Sequence, residues 1–148
     1  MSGVDFLSSK KKLIDPLDVV RNHYLALNSA DVESVMETYH PDCQIEGISF
    51  DQLGSPREEG NDFKAGCSVE RLMFTRFFDR YDGAFEGGRR LEIRTLALIE
   101  MGWVHAEWRL CSRRRSDSEL VAYTGYSHFF IEDGLIRRQR TVAHRISA

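Results

Sequence analysis

The chain has 148 residues, 42% hydrophobic and 29% charged, with 20 basic against 23 acidic residues for a net charge of −3. That length predicts one domain, burying about two-thirds of its unfolded surface, and the composition excludes a wholly disordered chain. The acidic balance argues against a nucleic-acid partner, and no apolar run is long enough to span a bilayer, so no membrane partner is expected either.

Lys10-Lys11-Lys12 is followed by Leu13-Ile14-Asp15-Pro16, with no apolar stretch between. This is not a signal peptide, and residues 1–14 read as a flexible leader to a single domain over 15–148. Cys43, Cys67 and Cys111 are an odd, widely spaced set that gives neither a disulfide framework nor a CxxC pair, so a cytoplasmic location is expected.

Asp15-Pro16 announces a first helix, Asp as its cap and Pro at its first position. Leu17, Val20, His23, Tyr24 and Leu27 then recur at helical spacing. Asn28-Ser29-Ala30-Asp31 breaks it, and Ser29 or Asp31 caps a second helix through Val32, Val35, Met36 and Tyr39, ended by His40-Pro41-Asp42. Cys43–Gly47 alternates as a short strand. Residues 48–66 are rich in Gly, Pro and acids and read as a long loop at the mouth of a site, a partial lid. A third helix, capped by Ser68, presents Val69, Met73, Phe74, Phe77, Phe78 and Tyr81, and Asp82-Gly83 stops it.

The rest reads as strands. Arg90–Glu100 changes apolar phase midway, which predicts a bulge. Trp103–Ser112, Glu119–Ile131 and Leu135–Ile146 follow, joined by a polar tip at residues 113–118 and by Asp133-Gly134, a hairpin signal. Helices first and an antiparallel meander after them predict an α+β fold with the helices on one side of an antiparallel sheet.

The strand from Trp103 places Val104, Ala106, Trp108 and Leu110 on one side and His105, Glu107 and Arg109 on the other. The next strand carries apolar residues on both sides, so its second face needs another cover. A homodimer through the outer sheet face, using His105, Glu107, Tyr126, His128 and Phe130, supplies it. His105-Ala106-Glu107 lacks the remaining ligands of a zinc signature, so no metal is expected. No other cofactor is expected, and the Arg clusters read as solvated charge on strand ends.

Val19-Val20-Arg21-Asn22-His23-Tyr24-Leu25-Ala26-Leu27-Asn28-Ser29-Ala30-Asp31, then Tyr39-His40-Pro41-Asp42-Cys43-Gln44-Ile45-Glu46, resembles the start of the nuclear transport factor 2-like superfamily, which includes ketosteroid isomerases and SnoaL-like polyketide cyclases. Gly54–Gly60 and His128–Ile136 fit as well, and the resemblance spans roughly residues 15–145. It implies a cone, a curved sheet wrapped around three helices with a pocket inside, and dimers through the outer sheet face. It also implies that the isomerases' general-base Asp falls at Gly47, their oxyanion Tyr at His23 and their second oxyanion donor at Ser127. The cyclases' acid/base Asp falls at Ser127 too. Gly cannot abstract a proton, so this is not a standard ketosteroid isomerase.

With Ser127 inward, the expected pocket comprises Val20, Tyr24, Phe74, Phe77, Trp108, Tyr123, Ser127, Phe129, Gln139 and Thr141. Such a lining suits a small apolar or aromatic ligand held by one or two hydrogen bonds. His23 titrates near neutrality and is the candidate acid/base. Two functions follow. One is a SnoaL-like lyase, isomerase or cyclase acting on an apolar cyclic substrate. The other is a binding module or accessory subunit resembling the small subunits of aromatic-ring dioxygenases.

Overall fold

The computed structural model describes residues 15–47, 63–65 and 67–146. Helix α1 (Pro16–Ser29) begins as the sequence dictates: the Asp15 side chain accepts from Leu17 N and Pro16 opens the first turn. It stops where Ala30 turns left-handed at φ 57°. Asp31 caps the short α2 (Val32–Met36), accepting from the amides of Glu33 and Ser34. Strand β1 (Tyr39–Gly47) starts four residues earlier than the alternation suggests, because Tyr39 already pairs with Ile136. Strand β2 (Phe63–Ala65) pairs with β1, helix α3 (Cys67–Arg80) follows, and β3 (Tyr81–Gly83) pairs with residues 112–114. A 3-10 turn at Glu86–Gly88 leads into β4 (Leu91–Glu100), then β5 (Trp103–Arg114), β6 (Leu120–Glu132) and β7 (Leu135–Ile146). The register of β4 slips between Ile93 and Thr95, where the apolar phase changes.

The sheet runs β2-β1-β7-β6-β5-β3, with β4 also on β5. It is mixed rather than antiparallel throughout: β1 lies parallel to β7, Ile45 opposite Gln139. Helix α3 carries the chain from β1 to the far edge of the sheet, and closing the cone brings the first long strand beside the last. The expected loop and lid at 48–66 fall outside the described residues apart from β2. Two short strands, β2 and β3, were not anticipated. Each has three residues, too few to show a period.

One face of the curled sheet holds the helices. On β5, Val104, Ala106, Trp108 and Leu110 are at most 1% exposed. On α1, the stripe Val20, His23, Tyr24 and Leu27 is at most 4% exposed. Burying side chains of this size stabilises by about 1.5–3 kcal/mol each. Asn28 ties α1 to the start of β4. Its carbonyl accepts from the amides of Arg90 and Leu91, and its amide donates to Leu91 O.

Two expectations are corrected. Cys43 is buried and disulfide-bonded, while Cys111 is a free thiol; spacing alone cannot reveal a pair made by folding. Arg90 is not solvated charge at a strand end. It is 5% exposed, its guanidinium lies 5.1 Å from the Phe78 ring centre and it donates to Tyr81 O.

Candidate functional site

The ten expected lining residues are all buried, none more than 5% exposed. Val20 and Tyr24 come from α1, and Phe74 and Phe77 from α3. Trp108 comes from β5, Tyr123, Ser127 and Phe129 from β6, and Gln139 and Thr141 from β7. The alternation of β6 and β7 aims the polar members at the helices, where they bond to one another. Tyr39 Oη donates to Gln139 Oε1 at 2.6 Å, and Gln139 Nε2 reaches Thr141 Oγ1 at 3.3 Å. Thr141 Oγ1 lies 2.8 Å from Ser127 Oγ, which accepts from Trp108 Nε1 at 3.1 Å. Tyr24 bonds to Ser127 as well. Burial pushes both tyrosine hydroxyls above their ordinary range, so they stay protonated.

Gly125, opposite Trp108, makes room for the indole. A Cβ there would lie 2.9 Å from the Trp108 ring and 2.4 Å from Val142 O.

His23 lies at the centre of this layer. It is 1% exposed and meets four rings edge-on: Tyr39 at 5.2 Å, Tyr24 and Phe129 at 5.6 Å each, and Phe74 at 6.5 Å. Thr38 Oγ1 lies 2.9 Å from its Nδ1 and donates its one proton to Val35 O at 2.6 Å. Nδ1 must therefore carry the hydrogen, which leaves Nε2 as the acceptor. Burial pushes the imidazole down to about 3 from its ordinary 6.5, so it is neutral at physiological pH. The sequence places a neutral-range titrating group here; the enclosing rings remove that behaviour.

Sequence reasoning missed Glu70. It is 2% exposed on α3, and its Oε2 is buried without a hydrogen-bond partner among the described residues. Burial raises its carboxyl to about 8, and its charge acts on Tyr39. The signal was available. Glu70 precedes Phe74 by four residues and Phe77 by seven, on the stripe that α3 turns inward. Thr38 and Tyr39, assigned to the end of a helix, belong to the site for the same reason that β1 starts early.

On the outer face, His105 Nδ1 lies 2.9 Å from His128 Nε2 across β5 and β6. His105 and His128 are partly exposed, and the ring of Tyr126 lies beside both. Tyr126 is 38% exposed, Glu107 is exposed, and Phe130 is half-buried against Trp103. The apolar expectation for both faces of β6 therefore holds only in part, since its outer face stays accessible in one chain. A hollow of about 280 Å³ opens there beside Trp103, His128, Arg138 and Arg140. No helix among the described residues is long and apolar enough to cross a membrane.

This architecture is the nuclear transport factor 2-like cone, an α+β fold with a curled mixed sheet around three helices. Neither a protein-family model nor a curated protein matches the sequence. Solved structures match the fold. A candidate polyketide cyclase from Xanthomonas campestris pv. campestris is 18% identical, with a TM-score of 0.61, over 86% of this chain and 88% of that one. A candidate isomerase from Bacillus subtilis is 14% identical, with a TM-score of 0.66, over 86% and 84%. An LEH-like epoxide hydrolase from M. tuberculosis is 15% identical, with a TM-score of 0.66, over 87% and 82%. The same cone thus serves cyclases, isomerases and hydrolases.

Proposed function

We propose that residues 15–148 form one domain whose cone interior holds an apolar cyclic molecule and moves a proton on it, as an isomerase, lyase or cyclase. The observation that carries this reading is His23, a neutral imidazole held by Thr38 inside a ring of aromatic edges. Its Nε2 is the basic atom. Burial disfavours an imidazolium there, as the lowered pKa records. Proton uptake becomes acceptable only when the same step creates a negative charge beside the ring, as in forming an enolate from a ring ketone. The carbon–hydrogen bond breaks, its proton passes to Nε2, and the electron pair moves to the carbonyl oxygen.

The test needs no known substrate. Ring ketones with exchangeable hydrogens beside the carbonyl are incubated with the protein in D2O, and exchange is followed by NMR. Exchange above the protein-free rate is expected, falling about 10²–10⁴-fold in His23→Gln. Exchange no faster than the control sinks the catalytic reading.

The binding-module alternative draws on a different observation: Gln139, Thr141, Ser127 and Trp108 bond among themselves. Ring ketones that bind without exchanging favour that alternative.

The outer face supports a homodimer through His105, Glu107, Tyr126, His128 and Phe130. Burial, His105 and Arg140 all push His128 down, so at neutral pH the histidine pair shares a hydrogen bond. Protonating His128 sets a positive charge beside Arg140 within that interface. Light scattering at micromolar concentration should give twice the chain mass at pH 7.5 and a shift toward the monomer near pH 5. A monomer at both values removes the dimer.

A further inference from the structure

Among the described residues four buried side-chain atoms lack a hydrogen-bond partner, Glu70 Oε2, Arg90 Nε, Arg109 Nε and Ser112 Oγ, and Glu70 is the one carboxyl of the four. Tyr39, Gln139, Thr141, Ser127 and Trp108 hydrogen-bond one another, and His23 is held by Thr38. Glu70 is 2% exposed, yet its Oε2 has no partner. A buried carboxyl without a hydrogen bond costs stability and needs an explanation. Packing does not supply one, since Leu or Met would fill the same inward position on the stripe with Phe74 and Phe77 at no such cost. Tyr39 lies on both sides of the question. It feels the Glu70 charge, and its ring centre is 5.2 Å from that of His23. Its own proton is committed to Gln139. The acid and the imidazole therefore share one neighbour without being bonded through it.

We propose that Glu70 is the hydrogen-bond donor of this site, its carboxylic acid binding the carbonyl oxygen of a cyclic ketone whose ring lies among the aromatic side chains. The assignment rests on the ligand pocket proposed above, and it narrows the ligand from an apolar ring to an apolar ring bearing an acceptor oxygen. Burial supports it by keeping the acid protonated up to about pH 8. Tyr39 is the titratable neighbour facing Glu70 from β1, and its hydroxyl stays neutral throughout that range. Glu70 would stabilise charge developing on the ketone oxygen while His23 takes the carbon-bound proton. That divides acid and base between α3 and α1.

The experiment compares α-tetralone with tetralin, which share a ring system and differ in the carbonyl oxygen. Affinities are measured by NMR titration on the wild type, Glu70→Gln and Glu70→Leu, each first shown to be folded. The ketone should bind roughly tenfold tighter than the hydrocarbon to the wild type at pH 6, the equivalent of one hydrogen bond. That preference should disappear above pH 9. It should be absent from Glu70→Leu at every pH and partly kept, without the pH dependence, by Glu70→Gln, whose amide still donates.

An equal preference for the ketone in the wild type and Glu70→Leu overturns the role of Glu70 and leaves the ligand pocket standing. Failure of both compounds to bind the wild type overturns the pocket, and the donor with it. Isotope-edited infrared spectra provide a ligand-free check. A carboxylic-acid band at pH 7 that vanishes in Glu70→Gln is expected, and its absence from the wild type overturns the assignment.

Discussion

Gly47→Asp, which puts a carboxylate where the resemblance to ketosteroid isomerases implies a base, should fail to give a stable fold. Gly47 has φ +98°, a backbone conformation that costs other residues about 1–2 kcal/mol. A Cβ there would stand 1.9 Å from Thr141 O and 2.9 Å from Thr141 C. Neither backbone atom can yield, because Thr141 pairs with Gly47 on one side and Ser127 on the other. Strain and overpacking together should cost roughly 3–5 kcal/mol even for Gly47→Ala. That is a large share of a typical stability of about 5–15 kcal/mol. Urea unfolding of Gly47→Ala provides the check, and an unchanged midpoint contradicts the steric account. The glycine at this position is thus fixed by the backbone, which leaves no room for a side chain.

Stability should follow a dome in pH with two separable sides. His23 binds its proton at about 3 in the folded protein against an ordinary 6.5. Between those values the unfolded chain holds the extra proton, so stability rises with pH and is lost as pH falls. Glu70 is shifted the other way, to about 8 from 4.5. Between those values the folded protein holds the extra proton, so stability falls as pH rises. Each slope is a little over 1 kcal/mol per pH unit. They offset each other from about pH 4.5 to 6.5, leaving a plateau. Roughly 2 kcal/mol is lost on going down to pH 3, and about as much on going up to pH 8. Melting temperatures across pH should show Glu70→Gln abolishing the alkaline decline and His23→Gln flattening the acid one. A wild-type curve level from pH 6.5 to 8 would mean that Glu70 is not buried as a neutral acid.

The fold was legible wherever a period or a cap is local. Asp15-Pro16, Asp31, the phase change in β4 and the alternation of β5 each act within a few residues. The inward set was legible for the same reason: once Ser127 is placed, parity fixes Tyr123, Phe129, Gln139 and Thr141. Contacts between distant segments were not legible. The parallel pairing of β1 with β7, the bond at Cys43 and the sinking of Arg90 onto Phe78 depend on which elements meet. Glu70 was hidden by residue type, since a carboxylate on an apolar stripe is ordinarily read as an interruption rather than as a member.

The bond between Tyr39 and Gln139 joins residues one hundred positions apart. The strand pair that carries it is the contact that closes the cone. A chain emerging from the ribosome makes α1, α2 and β1 early, but β1 has no parallel partner until β7 has been made. Such long-range pairing slows folding, because a large loop must be ordered before any contact offsets its entropy. The polar layer around His23 therefore comes into being only after β7 has been made. A nascent chain has the imidazole early, and it gains the enclosed surroundings that hold it neutral only when β7 docks.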